Sequence, residues 1–190
     1  MTEHIEHSEK NDSILKIALN LTGACIISGI IIATVYFLTN DIAKQKQAEL
    51  NTLALKSLVT EADQYIPIEG KSGWYKATKD GQLIAYIIPS ESKGYGGTIK
   101  LLVAVSPDNK VLKYAITESK ETPGLGDKAA KPAFYEQFTG KTSVNLKVTK
   151  DAGNKEDIQA ISGATITSRA VTLAVKQAVD ESSQLTKGGN

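Results

Sequence analysis

The chain has 190 residues, 41% of them hydrophobic, and a formal net charge of +1. That length allows one domain of about 100–150 residues with an appendage, and near-neutral charge with scattered Lys and Arg argues against a nucleic-acid partner. The single cysteine, Cys25, excludes an internal disulfide, and the two histidines, His4 and His7, both near the N-terminus, exclude a Cys/His metal site and a His-assisted nucleophile in the body.

Residues 1–16 form a polar tail. Residues 17–38, IALNLTGACIISGIIIATVYFL, carry no charged side chain over 22 positions. A helix needs about 20 such residues to cross the hydrocarbon core. Gly23, Ala24, Ser28 and Gly29 permit close helix packing, and Tyr36 suits an interface. The run is longer than a signal-peptide core, and TVYFLTNDIAKQKQ after it lacks a small-x-small cleavage site, so it reads as an uncleaved anchor in a lipid bilayer. Lys10 and Lys16 on one side and Lys44 and Lys46 on the other leave orientation open.

Ala43, Leu50, Leu53, Leu58 and Ala62 recur at loosely helical spacing, which predicts a juxtamembrane helix or stalk over 39–66, ended by Pro67 and Gly70. From Gly73 the period is two. WYKATKDGQLIAYIIP predicts a hairpin turning at Asp80-Gly81, and TIKLLVAVSPDNKVLKYAITES a second turning at Pro107-Asp108-Asn109. KPAFYEQFTG predicts a short helix closed by Gly140, SVNLKVTK a strand, and 157–161 a short strand. Ala170, Val171, Ala174, Val175, Ala178 and Val179 make one apolar face of a last helix, with Thr167 or Ser168 as its cap. The expected fold is α+β: one N-terminal transmembrane helix, then a domain over 67–190 with a mostly antiparallel sheet and flanking helices.

Three polar stretches remain. In ISGATITSRAV, Ser162, Gly163, Ala164, Thr165, Thr167 and Ser168 precede a helix whose first N–H groups lack partners, with Arg169 nearby. Such a turn can be a plain cap or an anion cradle, and it is not a P-loop. In ESKETPGLGDKA, Pro123, Gly124 and Gly126 give an irregular path that can serve as an ordinary turn or press on a flat ligand, with Glu121, Thr122 and Leu125 as handles. In SKGYGGTIK, Gly94, Gly96 and Gly97 around Tyr95 can be a hairpin connection or a close approach to a ligand.

Together, the anchor, the stalk, Gly-Tyr-Gly-Gly, Glu-Thr-Pro-Gly-Leu-Gly and Ser-Gly-Ala-Thr-x-Thr-Ser before a terminal helix resemble the FMN-binding domain family over about residues 14–180. That family includes the G subunit of the Rnf electron-transport complex, the nearer resemblance, and the C subunit of the Na+-translocating NADH:quinone reductase. The resemblance implies FMN bonded through its phosphate to Thr165, with Ser162, Gly163, Ala164 and Thr167 at the phosphate end. It places Glu121, Thr122, Leu125 and Gly126 by the ring system, with Tyr95 and Gly96 as further candidates. No catalytic acid/base residue and no metal is implied. Gln159 stands three positions before Ser162, where the family often carries an acid.

The resemblance further implies an electron-relay component of an ion-translocating ferredoxin:NAD+ oxidoreductase. Its partners would be the other Rnf subunits and a flavin transferase. The N-terminus would be cytoplasmic and the flavin domain extracytoplasmic. The rival readings are the flavin subunit of the quinone reductase, an anchored non-redox module for a phosphorylated solute, a pilin-like surface protein, and a tethered hydrolase using Ser162 or Thr165 with Lys128 or Lys131.

Overall fold

The computed structural model describes residues 3–187, with side chains described within 14–40, at 46 and within 52–186; the outermost ends of the predicted tail and domain, 1–2 and 188–190, lie outside the described residues. The chain divides into two compact units, Met1–Glu49 and Leu50–Asn190. Helix α1 (Glu3–Leu58) contains the apolar span Ile14–Asn40, 27 residues long. At ~1.5 Å per residue that is about 40 Å, enough to cross a bilayer once. Thr34 and Thr39 turn their hydroxyls back onto the carbonyls of Ile30 and Val35, at 2.8 and 2.6 Å. This hides two polar groups that lipid could not solvate.

The second unit is built on a five-stranded antiparallel sheet in the order β1 (Gln64–Pro67), β2 (Tyr75–Lys79), β3 (Gln82–Lys93), β4 (Thr98–Val105), β5 (Val111–Glu118). Both predicted hairpins form. Asp80 and Gly81 have φ of 50° and 75°, the pair of left-handed residues that a two-residue hairpin turn requires. At the other turn Asn109 adopts φ 60° and its N–H donates to the Ser106 carbonyl.

Alternation along the strands divides the sheet into two apolar faces. Tyr86, Ile88, Leu101, Val103, Val105 and Tyr114 point to one side and pack on α3 (Thr165–Lys187) through Ala170, Val171, Ala174, Val175, Ala178 and Val179. Ala77, Ala85, Ile87 and Ala104 point to the other side, where Leu55, Leu58 and Val59 cover them. The juxtamembrane helix or stalk expected over 39–66, with helical spacing to Ala62, is therefore corrected. The helix ends at Leu58, its last turns are a layer of the domain, and the chain enters β1 before Pro67. Lys113 donates to the Ser57 carbonyl at 3.0 Å and Tyr65 to that of Val59 at 2.8 Å, satisfying acceptors at the helix end. Strand β1 was not foreseen because four residues show little period. Its Pro67 is tolerated because β1 lies at the sheet edge.

Between β5 and α3 the chain makes a 3-10 turn (Gly126–Ala130), helix α2 (Pro132–Tyr135), and two more 3-10 turns. Phe134 and Phe138 are buried, and Gly140 has φ 77°, closing this segment as predicted. The strand expected over SVNLKVTK is mostly a correction. Ser143–Asn145 is a 3-10 turn, Leu146 turns into the core, and only β6 (Val148–Thr149) is extended, because its partner β7 (Ile158–Gln159) offers two residues. The β6–β7 pairing is parallel.

Leu58→Ala should destabilise the chain by about 2–5 kcal/mol, read as a lowered urea midpoint; a stalk leucine facing solvent would leave the midpoint where it was.

Candidate functional site

Two turns meet at the start of α3. In the first, the N–H groups of Leu125 and Gly126 donate to the Thr122 carbonyl at 3.1 and 3.0 Å, with Gly124 at φ 78°. Pro at the second position and Gly at the third of a four-residue turn are what this geometry selects. In the second turn, the Ala164 N–H donates to the Ile161 carbonyl at 3.0 Å and Gly163 takes φ 76°. A Cβ on Gly163 would stand 3.1 Å from Leu125 Cδ2, so the leucine of one turn lies over the glycine of the other.

The predicted cap is corrected here. Helix α3 begins at Thr165, not after Thr167 or Ser168. Ser168 is fully buried, accepts the Ile161 N–H at 2.9 Å and donates to the Ala164 carbonyl at 2.9 Å, holding the turn against the helix. The Thr167 hydroxyl donates to Glu121 Oε2 at 2.5 Å. The N–H groups of the first turn lack intrahelical partners and carry partial positive charge.

A cavity of about 550 Å³ opens at this junction, lined by Tyr95, Glu121, Thr122, Leu125, Gly126 and residues 163–167. That size lies in the range of small-molecule and cofactor sites. Nine of the eleven predicted site residues come together there: Tyr95, Glu121, Thr122, Leu125, Gly126, Gly163, Ala164, Thr165 and Thr167. Ser162 and Gly96 do not line it; both are exposed, and the Gly96 N–H donates to Glu121 Oε1 at 2.9 Å. Arg169 is exposed on α3 and is not among the lining residues. Ile166 lines the cavity and was missed; its sequence signal was an isolated apolar residue between two threonines, off the apolar face of α3.

The cavity is lined by both polar and apolar groups. Thr165 is half-buried, and no hydrogen bond engages its hydroxyl among the described residues. Beside it stand the unpaired first-turn N–H groups. Leu125, Ile166 and Tyr95 supply apolar surface at the cavity and remain 42%, 53% and 73% exposed. Beneath the 126–130 turn, Tyr114 donates to the Ala129 carbonyl at 2.6 Å. Burial pushes that hydroxyl far up, so it stays a proton donor. No cluster of three or more His, Cys, Asp or Glu able to hold a metal occurs among the described residues.

The family described as FMN-binding domain matches residues 94–180, the stretch that contains every lining residue of the cavity. The G subunit of the proton-translocating ferredoxin:NAD(+) oxidoreductase complex of Clostridium ljungdahlii is 50% identical over 177 residues, spanning 93% of this chain and 96% of that protein. The G subunit of the Na(+)-translocating ferredoxin:NAD(+) oxidoreductase complex of Acetobacterium woodii is 28% identical, spanning 92% and 94%. Among solved structures, the C subunit of the Na(+)-translocating NADH-quinone reductase from Parabacteroides distasonis has the same fold, with a TM-score of 0.59 over 77% of this chain and 96% of that one, at 23% identity.

A Cβ at position 96 would lie 2.0 Å from the Lys120 carbonyl oxygen, a backbone atom that cannot step aside. Gly96→Ala should therefore cost about 1–3 kcal/mol of stability and reduce the FMN that copurifies, measured by urea unfolding and by flavin absorbance per mole of chain.

Proposed function

Because the chain belongs to the G-subunit family of ion-translocating oxidoreductase complexes and carries an FMN-binding domain, we propose that it is the membrane-anchored flavoprotein of a ferredoxin:NAD+ oxidoreductase, relaying electrons between the other subunits of the complex. It is an electron-transfer part of a translocase rather than an enzyme with its own substrate. When bound, FMN supplies one- and two-electron chemistry that no side chain here can perform.

The residues of the cavity fit that group. The backbone N–H groups of residues 165–167 and the Gly163 turn suit a phosphate at a helix N-terminus. Leu125, Ile166 and Tyr95 suit a flat ring. The observation that carries the finer reading is the Thr165 hydroxyl, which lines the cavity beside the first-turn N–H groups and is free of hydrogen bonds among the described residues. We infer that Thr165 Oγ1 is esterified to the FMN phosphate by a separate flavin transferase, the hydroxyl giving up its proton and displacing the leaving group of an activated FMN-phosphoryl donor such as a flavin dinucleotide. One covalent bond through the phosphate would prevent loss of the cofactor, and Leu125, Ile166 and Tyr95 would hold its ring in a cavity that opens to the surface. The span Ile14–Asn40 keeps the flavin at the membrane.

We further place the N-terminus in the cytoplasm and the flavin domain on the opposite side. A reporter fused after the last residue and active only outside the cytoplasm should be active; a silent reporter would reverse the topology.

Intact-mass analysis of the full chain made with its transferase separates this reading from an anchored module that binds a phosphorylated solute. The expected result is an FMN-sized addition in wild type and in Ser162→Ala, whose side chain is outside the cavity, and none in Thr165→Ala. Equal masses for wild type and Thr165→Ala would remove the covalent site.

A further inference from the structure

The pocket walls come from three segments distant in sequence, and one side chain joins them. Glu121 Oε1 accepts the Gly96 N–H at 2.9 Å, and Oε2 accepts the Thr167 hydroxyl at 2.5 Å. Two glycines clear the space for this carboxyl group, and a third lets the chains approach beside it. A Cβ on Gly94 would stand 2.3 Å from Glu121 Oε1, one on Gly126 would stand 2.7 Å from Oε2, and one on Gly96 would strike the Lys120 carbonyl that precedes it. Among the described residues, no other hydrogen bond links loop 94–97 to the 121–126 loop or to α3. Both Glu121 oxygens are thus engaged by protein.

We propose that Glu121 is a positioning residue, a latch that holds the Tyr95 loop at a set distance from the first turn of α3. This deepens the flavin reading and rests on it for its purpose. A cofactor held by one ester through a side chain keeps several free rotations, so its orientation must come from the walls around it. Tyr95 is 73% exposed; its loop is closed on itself by the Gly94 N–H donating to the Gly97 carbonyl at 2.8 Å between paired β3 and β4, and Glu121 is what ties that hairpin to the other two walls.

The test uses the full-length chain produced with its flavin transferase, as wild type, Glu121→Leu, Glu121→Gln and Thr167→Val. Leu removes both bonds. Gln can rebuild both, its carbonyl accepting from Gly96 and its amide donating to the Thr167 hydroxyl. Thr167→Val leaves Glu121 in place and removes one bond at nearly constant shape. Two readouts are taken: hydrogen exchange of the segment 94–97, and fluorescence polarisation of the attached flavin.

The expected result is exchange about tenfold faster at 94–97 in Glu121→Leu and Thr167→Val, lower flavin polarisation in both, and values near wild type in Glu121→Gln. A purely local role for Thr167 would not move a loop about seventy residues away in sequence. Exchange and polarisation in Glu121→Leu and Thr167→Val equal to wild type, with the flavin mass intact, would overturn the latch and leave the cofactor reading standing. Absence of flavin mass from wild type would sink the cofactor reading, while exchange at 94–97 would still decide the latch.

Discussion

Val171, Val175 and Val179 are almost wholly withdrawn from solvent between α3 and the sheet, and that burial decides where the N-terminus of α3 lies. A helix with one apolar stripe can rotate or slide only by exposing part of it, at ~25 cal/mol for each Å² of apolar surface returned to water. With Ala170, Ala174 and Ala178 alongside, the stripe alternates small and large groups and sits close on β3 and β4. The first turn of α3 is thereby carried to the end of the sheet where the Tyr95 loop and the 121–126 loop emerge. The free N–H groups, Thr165 and the Gly163 turn are consequences of that placement.

The opposite face of the sheet imposes a second constraint. Ala77, Ala85, Ile87 and Ala104 would be exposed without Leu55, Leu58 and Val59. The last turns of α1 are therefore a layer of the flavin domain. Both faces of the sheet being covered explains why 83–89 and 101–105 carry no charged residue.

At the site, the chemistry divides between what must be fixed and what must stay open. Ser168, Glu121 and the two glycine-bearing turns lock the backbone by hydrogen bonds whose donors and acceptors are all accounted for. Thr165, Leu125, Ile166 and Tyr95 are left with unused surface or an unused hydroxyl. A relay needs that division, because its cofactor must be held still yet reachable from outside.

Much of this was legible along the chain because the signals are local. A charge-free run of 22 residues, Asp80-Gly81 between alternating strands, and apolar residues at helical spacing in 170–179 each obey a period or a turn rule that needs no partner. The Ser-Gly-Ala-Thr and Thr-Pro-Gly-Leu-Gly stretches were recognisable as turns for the same reason, and their resemblance to a known family came with them. Tertiary structure alone decided the rest. The end of α1 at Leu58, the edge strand β1 and the shortness of β6 depend on what lies across from them, which no window of sequence contains. The place of Ile166 in the cavity, the exclusion of Ser162 and Gly96 from it, and the use of Thr167 by Glu121 depend on where α3 settles, and that is set by burial between segments far apart in the chain.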